Sequence, residues 1–435
     1  MYYSRLCSRR SRHRNQRFGN GHDRRNARCQ GWGYDHAPHL CSAHSGSKGY
    51  NSTAGLSHRY DWGVKEIKLI HFEKLQPICP SCRQSRGNNS LLDLRSASKK
   101  THDSIIEGIL VCSNQECLGE YPIIDGVPII VADLRNYVSQ NIMPILSRRD
   151  LSETTESLLG DCCGPGSAFD SYRQHLSTYT FDHYGDLDPA EPEDSPVLPG
   201  SVLDLLRAGF LEIEEQVDGP AIDLGCAVGR TSFELAKTVD DLVLGVDLNF
   251  TMLRAAAFIL HEGRVTYPKR RVGIAFDKRE FAAQLEGASK VDFWACDATS
   301  LPFGEESFSL ATSLNVVDCV QSPYDHLKEV GRILKPNGSA IVSAPYDWNV
   351  NATPVEAWLG GHSQRSESQG ASEITLRSLL AGGEHPYAIQ ELELVSESEA
   401  VEWKLRLHDR SFMNYLVHLL VMRKKQASAP SQNKS

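Results

Sequence analysis

From residue 219 to 426, short apolar runs of strand length alternate with runs of helix length, and this alternation restricts the fold more than anything else in the chain. Residues 221–225 (AIDLG), 242–248 (LVLGVDL), 292–298 (DFWACDA), 307–318 (SFSLATSLNVVD) and 339–345 (SAIVSAP) read as strands. Residues 230–239, 251–263 and 324–334 between them read as helices. Strands separated by helices form a parallel sheet covered on both faces, so the class is α/β and doubly wound. The last two runs, 392–407 and 414–423, flank a turn-like HDRS and suggest a terminal antiparallel pair. No stretch of about 18 apolar residues is present, which excludes a membrane-spanning helix from the reading.

The polar residues at the strand ends carry the first chemical signal. Gly225 and Gly229 bracket a turn, with Cys226 inside it, that follows Asp223 and opens a helix. Such a turn lets backbone approach a ligand and aims helix N–H groups at it. Asp247 ends the next strand 24 residues after Asp223, where a carboxylate suits bidentate bonding to a ribose diol. Asp297, followed by Ala298, ends the third strand, where it can accept from an adenine amino group, and Asn315 lies at the end of the fourth. The plainer alternative is that these aspartates cap helices or form turns.

DLGCAVGR, GVDLN and ACDATSLPFGEESFSL, in that order and spacing, resemble the class I S-adenosylmethionine-dependent methyltransferases over residues 219 to about 345. The resemblance implies a seven-stranded, mostly parallel sheet across residues 201–426 and S-adenosylmethionine as cofactor. Its cofactor-binding set would be Asp223, Gly225, Cys226, Gly229, Asp247, Asp297, Ala298 and Asn315. Ala227 stands where the family usually has its middle glycine, and a negative φ is expected there. The sequence lacks a phosphate-gripping arrangement, which favours this cofactor over NAD or FAD.

Two cysteine pairs, Cys79-Pro-Ser-Cys82 and Cys112-Ser-Asn-Gln-Glu-Cys117, are separated by 29 residues. Each short pair offers two thiolates to one tetrahedral ion, and four thiolates leave no open position, so a bound zinc would be structural. The alternative is four reduced cysteines without metal. Short β-like runs at 66–72, 109–112 and 122–131 surround the pairs, with Asp125-Gly126 as a hairpin signal. PICPSC…LVCSNQECLGEYPIIDGVPIIV resembles the zinc-ribbon activator subunit of tRNA, rRNA and protein methyltransferases. That resemblance implies a small β-rich zinc ribbon over 66–133, supporting a methyltransferase fused in the same chain.

A third resemblance concerns the methyl acceptor. VSAPYDWNVNATPVEAWLGGHS resembles the C-terminal methyltransferase domain of ovothiol synthases, the mercaptohistidine N-methyltransferases, as does the turn DLGCAVGR with its alanine. It implies N-methylation of a small amino-acid-like, histidine-derived substrate. Methyl transfer is an in-line displacement, in which positioning and water exclusion carry most of the rate. Asp318, Tyr346 and Glu356 are the candidate catalytic residues, with Trp348 and Trp358 as flat walls for a cation or ring. Against this, Asp318 is as readily a helix cap, the aromatics are as readily core, and His408 and His418 read as satisfied histidines. The other readings are methylation of RNA or a translation protein through the ribbon, and a non-catalytic adaptor.

Charge narrows the partners. The net charge is -9, yet residues 1–60 hold eleven Lys and Arg against Asp23 and Asp35. The acidic remainder argues against nucleic-acid binding through bulk charge and leaves a small molecule as the favoured substrate. Residues 1–60 and 427–435 read as a disordered leader and tail. No signal peptide opens the chain, and the cysteines are too few for a disulfide scaffold, so an intracellular, cytoplasmic setting is expected, with organelle import through the basic leader as the alternative. Residues 134–200 read as a connector, helical in part and loop-like at 160–166, with His183 and Tyr184 in a candidate lid and Cys162-Cys163 in a loop.

Overall fold

A computed structural model describes residues 67–426 except 101–103, 147–152, 193, 196, 214–216 and 381–384. The expected leader and tail lie outside the described residues.

The chain enters through β1 (Ile67–Lys68), α1 (Leu69–Leu75) and α2 (Pro80–Arg86), then β2 (Leu92–Lys100), β3 (Ser104–Cys112), β4 (Glu120–Ile124) and β5 (Val127–Ile130). Three helices follow, α3 (Leu134–Leu146), α4 (Glu153–Cys163) and α5 (Ala168–Tyr184), and α6 (Ser201–Phe210) comes next. The alternating part comprises β6 (Ala221–Leu224), α7 (Arg230–Thr238), β7 (Val243–Asp247) and α8 (Phe250–Glu262), then β8 (Arg264–Val272), β9 (Ala275–Ala282) and β10 (Val291–Cys296). It continues through β11 (Phe308–Leu314), α9 (Pro323–Ile333), β12 (Leu334–Ala344) and α10 (Ser372–Leu380), and ends with β13 (Leu392–His408) and β14 (Ser411–Lys424).

One mixed sheet of twelve strands runs in the order β1-β3-β4-β5-β10-β7-β6-β11-β12-β14-β13, with β2 also paired to β3. The chain starts at β6 in the middle, winds out to β7 and β10, then returns to β11 on the other side of β6. Ligands of open α/β sheets sit at such a reversal, outside the carboxyl ends of the strands. The expected terminal antiparallel pair is present, with β14 antiparallel to both β12 and β13.

The sheet has twelve strands in all, five more than the expected seven-stranded sheet of residues 201–426. Seven of them come from residues 221–424, and the sheet does not stop at β10. Residues 67–130 do not form a detached ribbon, because β5 adds alongside β10 in parallel, Ile129 opposite Ala295 and Ile130 opposite Cys296. The Asp125-Gly126 turn (φ 53° and 73°) makes this addition, folding β5 back on β4 so that its far side can meet an edge strand. Alternation along β5 then splits its side chains between two cores. Ile130 joins Leu110, Tyr121, Ile123, Leu224, Leu244 and Trp294 on one face, while Val127 and Ile129 join Phe233, Leu253, Val265 and Phe293 on the other.

Two local expectations also change, and two elements appear that the sequence did not announce. Residues 66–72 were expected as a strand, yet only Ile67–Lys68 are extended and a helix follows. The helix places His71 and Leu75, four apart, on its buried side. The polar run of β2 carries no strand signal and forms by pairing with β3. Helix α4 continues through Cys162 and Cys163, so these exposed thiols end a helix instead of lying in a loop. The hairpin β8-β9, unforeseen in sequence, packs β8 on α5 and α8.

Candidate active site

Gly225 and Gly229 both have left-handed backbone (φ 72° and 88°), as the turn requires. A Cβ at Gly225 would lie 2.4 Å from Val316 Cγ2, and one at Gly229 would lie 2.4 Å from Phe293 Cζ. Their smallness therefore serves internal packing. The turn's N–H groups are mostly spent inside it. Gly225 N and Cys226 N both donate to Val246 O, at 2.8 and 3.0 Å, and Ala227 N donates to Asp247 Oδ2 at 3.0 Å. Ala227 has φ 48°, so the expected negative φ is wrong. The bond to Asp247 holds it in a conformation that costs an L-residue about 1–2 kcal/mol.

Asp223 is buried beneath this turn. Its Oδ2 accepts from Thr231 Oγ1 (2.6 Å) and Ser232 Oγ (2.7 Å), and its Oδ1 accepts from Thr312 Oγ1 (2.8 Å). It thus ties the start of α7 to β11 across the sheet reversal. Asp247, half-buried at the end of β7, accepts from Ala227 N and, through Oδ1, from Asn249 N at 2.7 Å. Burial pushes both carboxyls above their usual range, and the hydrogen bonds they accept oppose this.

Asp297 lies just beyond β10 and accepts from Thr299 N (2.9 Å) and Thr299 Oγ1 (2.7 Å). The next residue, Ala298, is fixed through its carbonyl, 3.2 Å from His326 Nδ1, while His326 Nε2 lies 2.8 Å from Ser313 Oγ. Asn315 follows β11 with φ 59°, its N–H and Oδ1 both engaged with Ser343. Its Nδ2 is buried without a hydrogen-bond partner among the described residues. Asp223, Asp247, Asp297 and Asn315 end four neighbouring strands, β6, β7, β10 and β11, on one side of the sheet.

Two contacts that sequence did not reveal hold this edge. His183 Nδ1 accepts from Arg230 N at 3.3 Å, capping α7 where Gly229 has no side chain to do so. Burial, then the Arg230 charge, lowers the His183 pKa to about 3, so the imidazole stays neutral and can accept. Arg230 reaches back to His183 O and pairs with Asp186 through two nitrogens, at 3.0 and 3.1 Å. His183 and Asp186 thus fasten the end of α5 to the start of α7. On the other side, Ile78 N donates to Pro302 O (2.7 Å), Gln84 to Ser300 Oγ (2.9 Å), and Arg83 to Glu329 Oε2 (2.8 Å) and Leu301 O. The cysteine-bearing segment therefore grips the loop that follows Asp297.

Asp318 and Tyr346 lie beyond the ends of β11 and β12, next along the same edge. Asp318 is 1% exposed; its Oδ2 accepts from Asp347 N at 2.7 Å and its Oδ1 has no partner among the described residues. Burial pushes its carboxyl up to about 6. Burial, then the Asp318, Asp347 and Asp247 charges, raises the Cys319 thiol above its usual range. Tyr346, at φ 55°, places its hydroxyl 2.7 Å from His418 Nδ1. Its ring stacks on Trp348 at 6.3 Å between centroids, and Trp348 stacks on Trp358 at 5.8 Å. Trp358 Nε1 donates to Thr353 O (2.8 Å), and Thr353 Oγ1 donates to Val320 O and Asp318 O, which binds the indoles to the Asp318 turn. Glu356 is exposed on the adjoining turn Val355–Ala357 and joins none of these bonds.

The four cysteines come together as their spacing implied. Cys79, Cys82, Cys112 and Cys117 have all four sulfurs within 4.8 Å of one another. Cys79 and Cys117 Sγ are 3.7 Å apart, and Cys82 and Cys112 Sγ are 3.6 Å apart. A disulfide would need about 2.05 Å. A tetrahedron with metal–sulfur bonds of about 2.3 Å has edges of about 3.8 Å, which these separations approach. Tyr121 Oη, 3.3 Å from Cys79 Sγ, and Asn114 Nδ2, 3.8 Å from Cys82 Sγ, lie against the cluster from outside.

Residues 222–342 match the family model of a methyltransferase domain. Among solved structures the chain is similar to an S-adenosylmethionine-dependent methyltransferase of Methanosarcina mazei, at 20% identity, covering 50% of this chain and 98% of that one, with a TM-score of 0.33. It is also similar to a chain of the complex between a methyltransferase activator and a methyltransferase of Haloferax volcanii, at 16% identity over 51% and 89%, with a TM-score of 0.32. A third is Haemonchus contortus phosphoethanolamine N-methyltransferase 2 in complex with S-adenosylmethionine, at 16% identity over 59% and 60%, with a TM-score of 0.33. No helix among the described residues is long and apolar enough to cross a membrane. The central strands of the sheet thus carry a methyltransferase domain, over residues 222–342.

Proposed function

We propose that the enzyme methylates a nitrogen of a small, histidine-derived amino acid, using S-adenosylmethionine bound along the edge formed by Asp223, Gly225, Cys226, Gly229, Asp247, Asp297, Ala298 and Asn315. The supporting observation is that this edge offers carboxylates while the amides of its turn are already bonded. Such a donor set suits a cofactor with a sulfonium, an ammonium and a ribose diol, and does not suit a pyrophosphate. Asp247 would take the ribose hydroxyls, and Asp297 with Ala298 the adenine. The Asn315 amide, with its buried free N–H, would meet the amino-acid end. Gly225, Cys226 and Gly229 would give the turn its shape, and Asp223 would hold that turn from beneath.

When bound, this cofactor supplies an electrophilic methyl group. The acceptor nitrogen uses its lone pair to form the new C–N bond as the C–S bond breaks. The chain's own residues present that nitrogen unprotonated and exclude water. Asp318, with a free carboxylate oxygen, would hold the substrate's amino group, and the Tyr346, Trp348 and Trp358 faces would border its flat ring. The four-cysteine cluster would carry one structural zinc.

The test uses the full-length, zinc-loaded protein with methyl-labelled cofactor and three acceptor pools: mercaptohistidine and histidine, total RNA, and protein. Label on mercaptohistidine or histidine is the expected result. Label confined to RNA or protein would overturn the acceptor assignment and make the cysteine-bearing segment a recognition element.

A further inference from the structure

A chain of four side chains, three from α10, β13 and β14 and the last from just beyond β12, ends at the Tyr346 hydroxyl. Arg377, on α10, donates from Nε to Glu397 Oε2 at 2.7 Å and also pairs with Glu399. Glu397, on β13, lies with the same Oε2 3.0 Å from His418 Nε2, and His418, on β14, lies with Nδ1 2.7 Å from the Tyr346 hydroxyl. His418 is only 3% exposed. These residues are separated by 20 to 72 positions, so no local motif announces them.

Proton positions follow from the charges at the far end. The bond from Arg377 holds the Glu397 carboxyl below its usual range, so Glu397 is ionised and can only accept. His418 Nε2 must then carry a hydrogen and donate it. In a neutral imidazole the other nitrogen is an acceptor, so the Tyr346 O–H donates to Nδ1. That leaves the Tyr346 oxygen with a lone pair turned away from His418. Tyr346 holds this position at a left-handed φ of 55°, sparsely populated for an aromatic residue and typical of strained functional positions.

We propose that His418, oriented by Glu397 and Arg377, positions Tyr346 to accept the proton that the acceptor ring loses on methylation, and itself takes the Tyr346 proton. The inference rests on the acceptor site proposed above. The balance is closed. As one ring nitrogen forms the C–N bond with its lone pair, the N–H proton of the other ring nitrogen passes to the Tyr346 oxygen and the Tyr346 proton passes to His418 Nδ1. The imidazolium that results is paired with Glu397. His418, Glu397 and Arg377 act through Tyr346 and are positioning residues. The other charged groups acting on Tyr346 are Glu373 on α10 and Asp318 on the turn after β11, with burial the largest influence and raising its pKa.

The experiment compares wild type with His418→Gln, Tyr346→Phe and the double variant, using mercaptohistidine as acceptor from pH 5.5 to 8.5. Gln supplies an acceptor and a donor but cannot take a proton. In His418→Gln, kcat is expected to fall about 100-fold with KM within threefold, and the double variant is expected to be no slower than Tyr346→Phe alone. Cofactor binding within threefold of wild type would show that each variant is folded. A His418→Gln enzyme within twofold of wild type at every pH, or losses that multiply in the double variant, would overturn the proposal. A second readout needs no turnover. Nitrogen NMR of imidazole-labelled protein, with the His418 signals assigned by their loss in His418→Gln, is expected to show hydrogen on Nε2 and none on Nδ1. Hydrogen on Nδ1 of neutral His418 would overturn the inference whichever acceptor is used. Absence of label on mercaptohistidine and histidine with wild type, by contrast, overturns the acceptor reading on which it depends.

Discussion

The two ends of the sheet are built on different principles. At the cysteine end, ligands, hairpin and strand addition all fall between Cys79 and Ile130, in 52 consecutive residues, and the four sulfurs form a closed set. At the proposed acceptor end, Asp318, Tyr346, Arg377, Glu397 and His418 come from separate segments and leave polar atoms unspent, among them Asp318 Oδ1. A closed set of ligands can only hold structure together, whereas unspent atoms can meet a substrate. On the proposed reading, stability lies with the first end and rate with the second.

Removing metal by chelation, or Cys82→Ser, should have the largest effect on folding, lowering stability by several kcal/mol in denaturant titration. If chelation left the unfolding midpoint unchanged, the cysteine end would not depend on metal. Asp223→Ala comes next, at about 3 kcal/mol or more, because it strands the buried hydroxyls of Thr231, Ser232 and Thr312. The same titration would check it, with Asp223→Asn expected to lose less.

Asp318→Asn separates the two roles. Its carboxyl is raised to about 6 in the folded chain, against about 3.9 in an unfolded one. The folded state therefore binds the extra proton between those values, and stability falls as pH rises through that window. Asn should restore about 2–3 kcal/mol at pH 7.5 by removing a buried charge, while slowing methyl transfer. In wild type, activity should drop as pH falls below about 6, where Asp318 takes up its proton. Equal stability of the two proteins at pH 7.5 would contradict the buried-charge assignment. The smallest effect expected is for Arg83→Ala, which frees the loop after Asp297 from the cysteine end. A loss of about 1–2 kcal/mol and weaker cofactor binding should follow, read by calorimetry.

Much of the fold was legible because it rests on short-range pattern. The strands β6, β7, β10, β11 and β12, their helices and the β13-β14 pair follow from apolar runs bounded by turns. The cysteine cluster follows from spacing. What was not legible depends on partners distant in sequence. Strand β2 is polar and exists through β3, and the addition of β5 to β10 cannot be inferred from either strand alone. Ala227 was misread because its left-handed backbone is held by Asp247, twenty residues away. His183 and His418 look ordinary in sequence, and their positions come from Arg230 and from Tyr346 and Glu397.

The most direct test of the cofactor edge is calorimetric titration of S-adenosylmethionine into the zinc-loaded full-length protein and its Asp247→Ala variant. Saturable one-to-one binding by wild type, weakened at least tenfold by the substitution, is the expected result. No binding by wild type, or equal binding by both proteins, would contradict the placement of the cofactor along this edge.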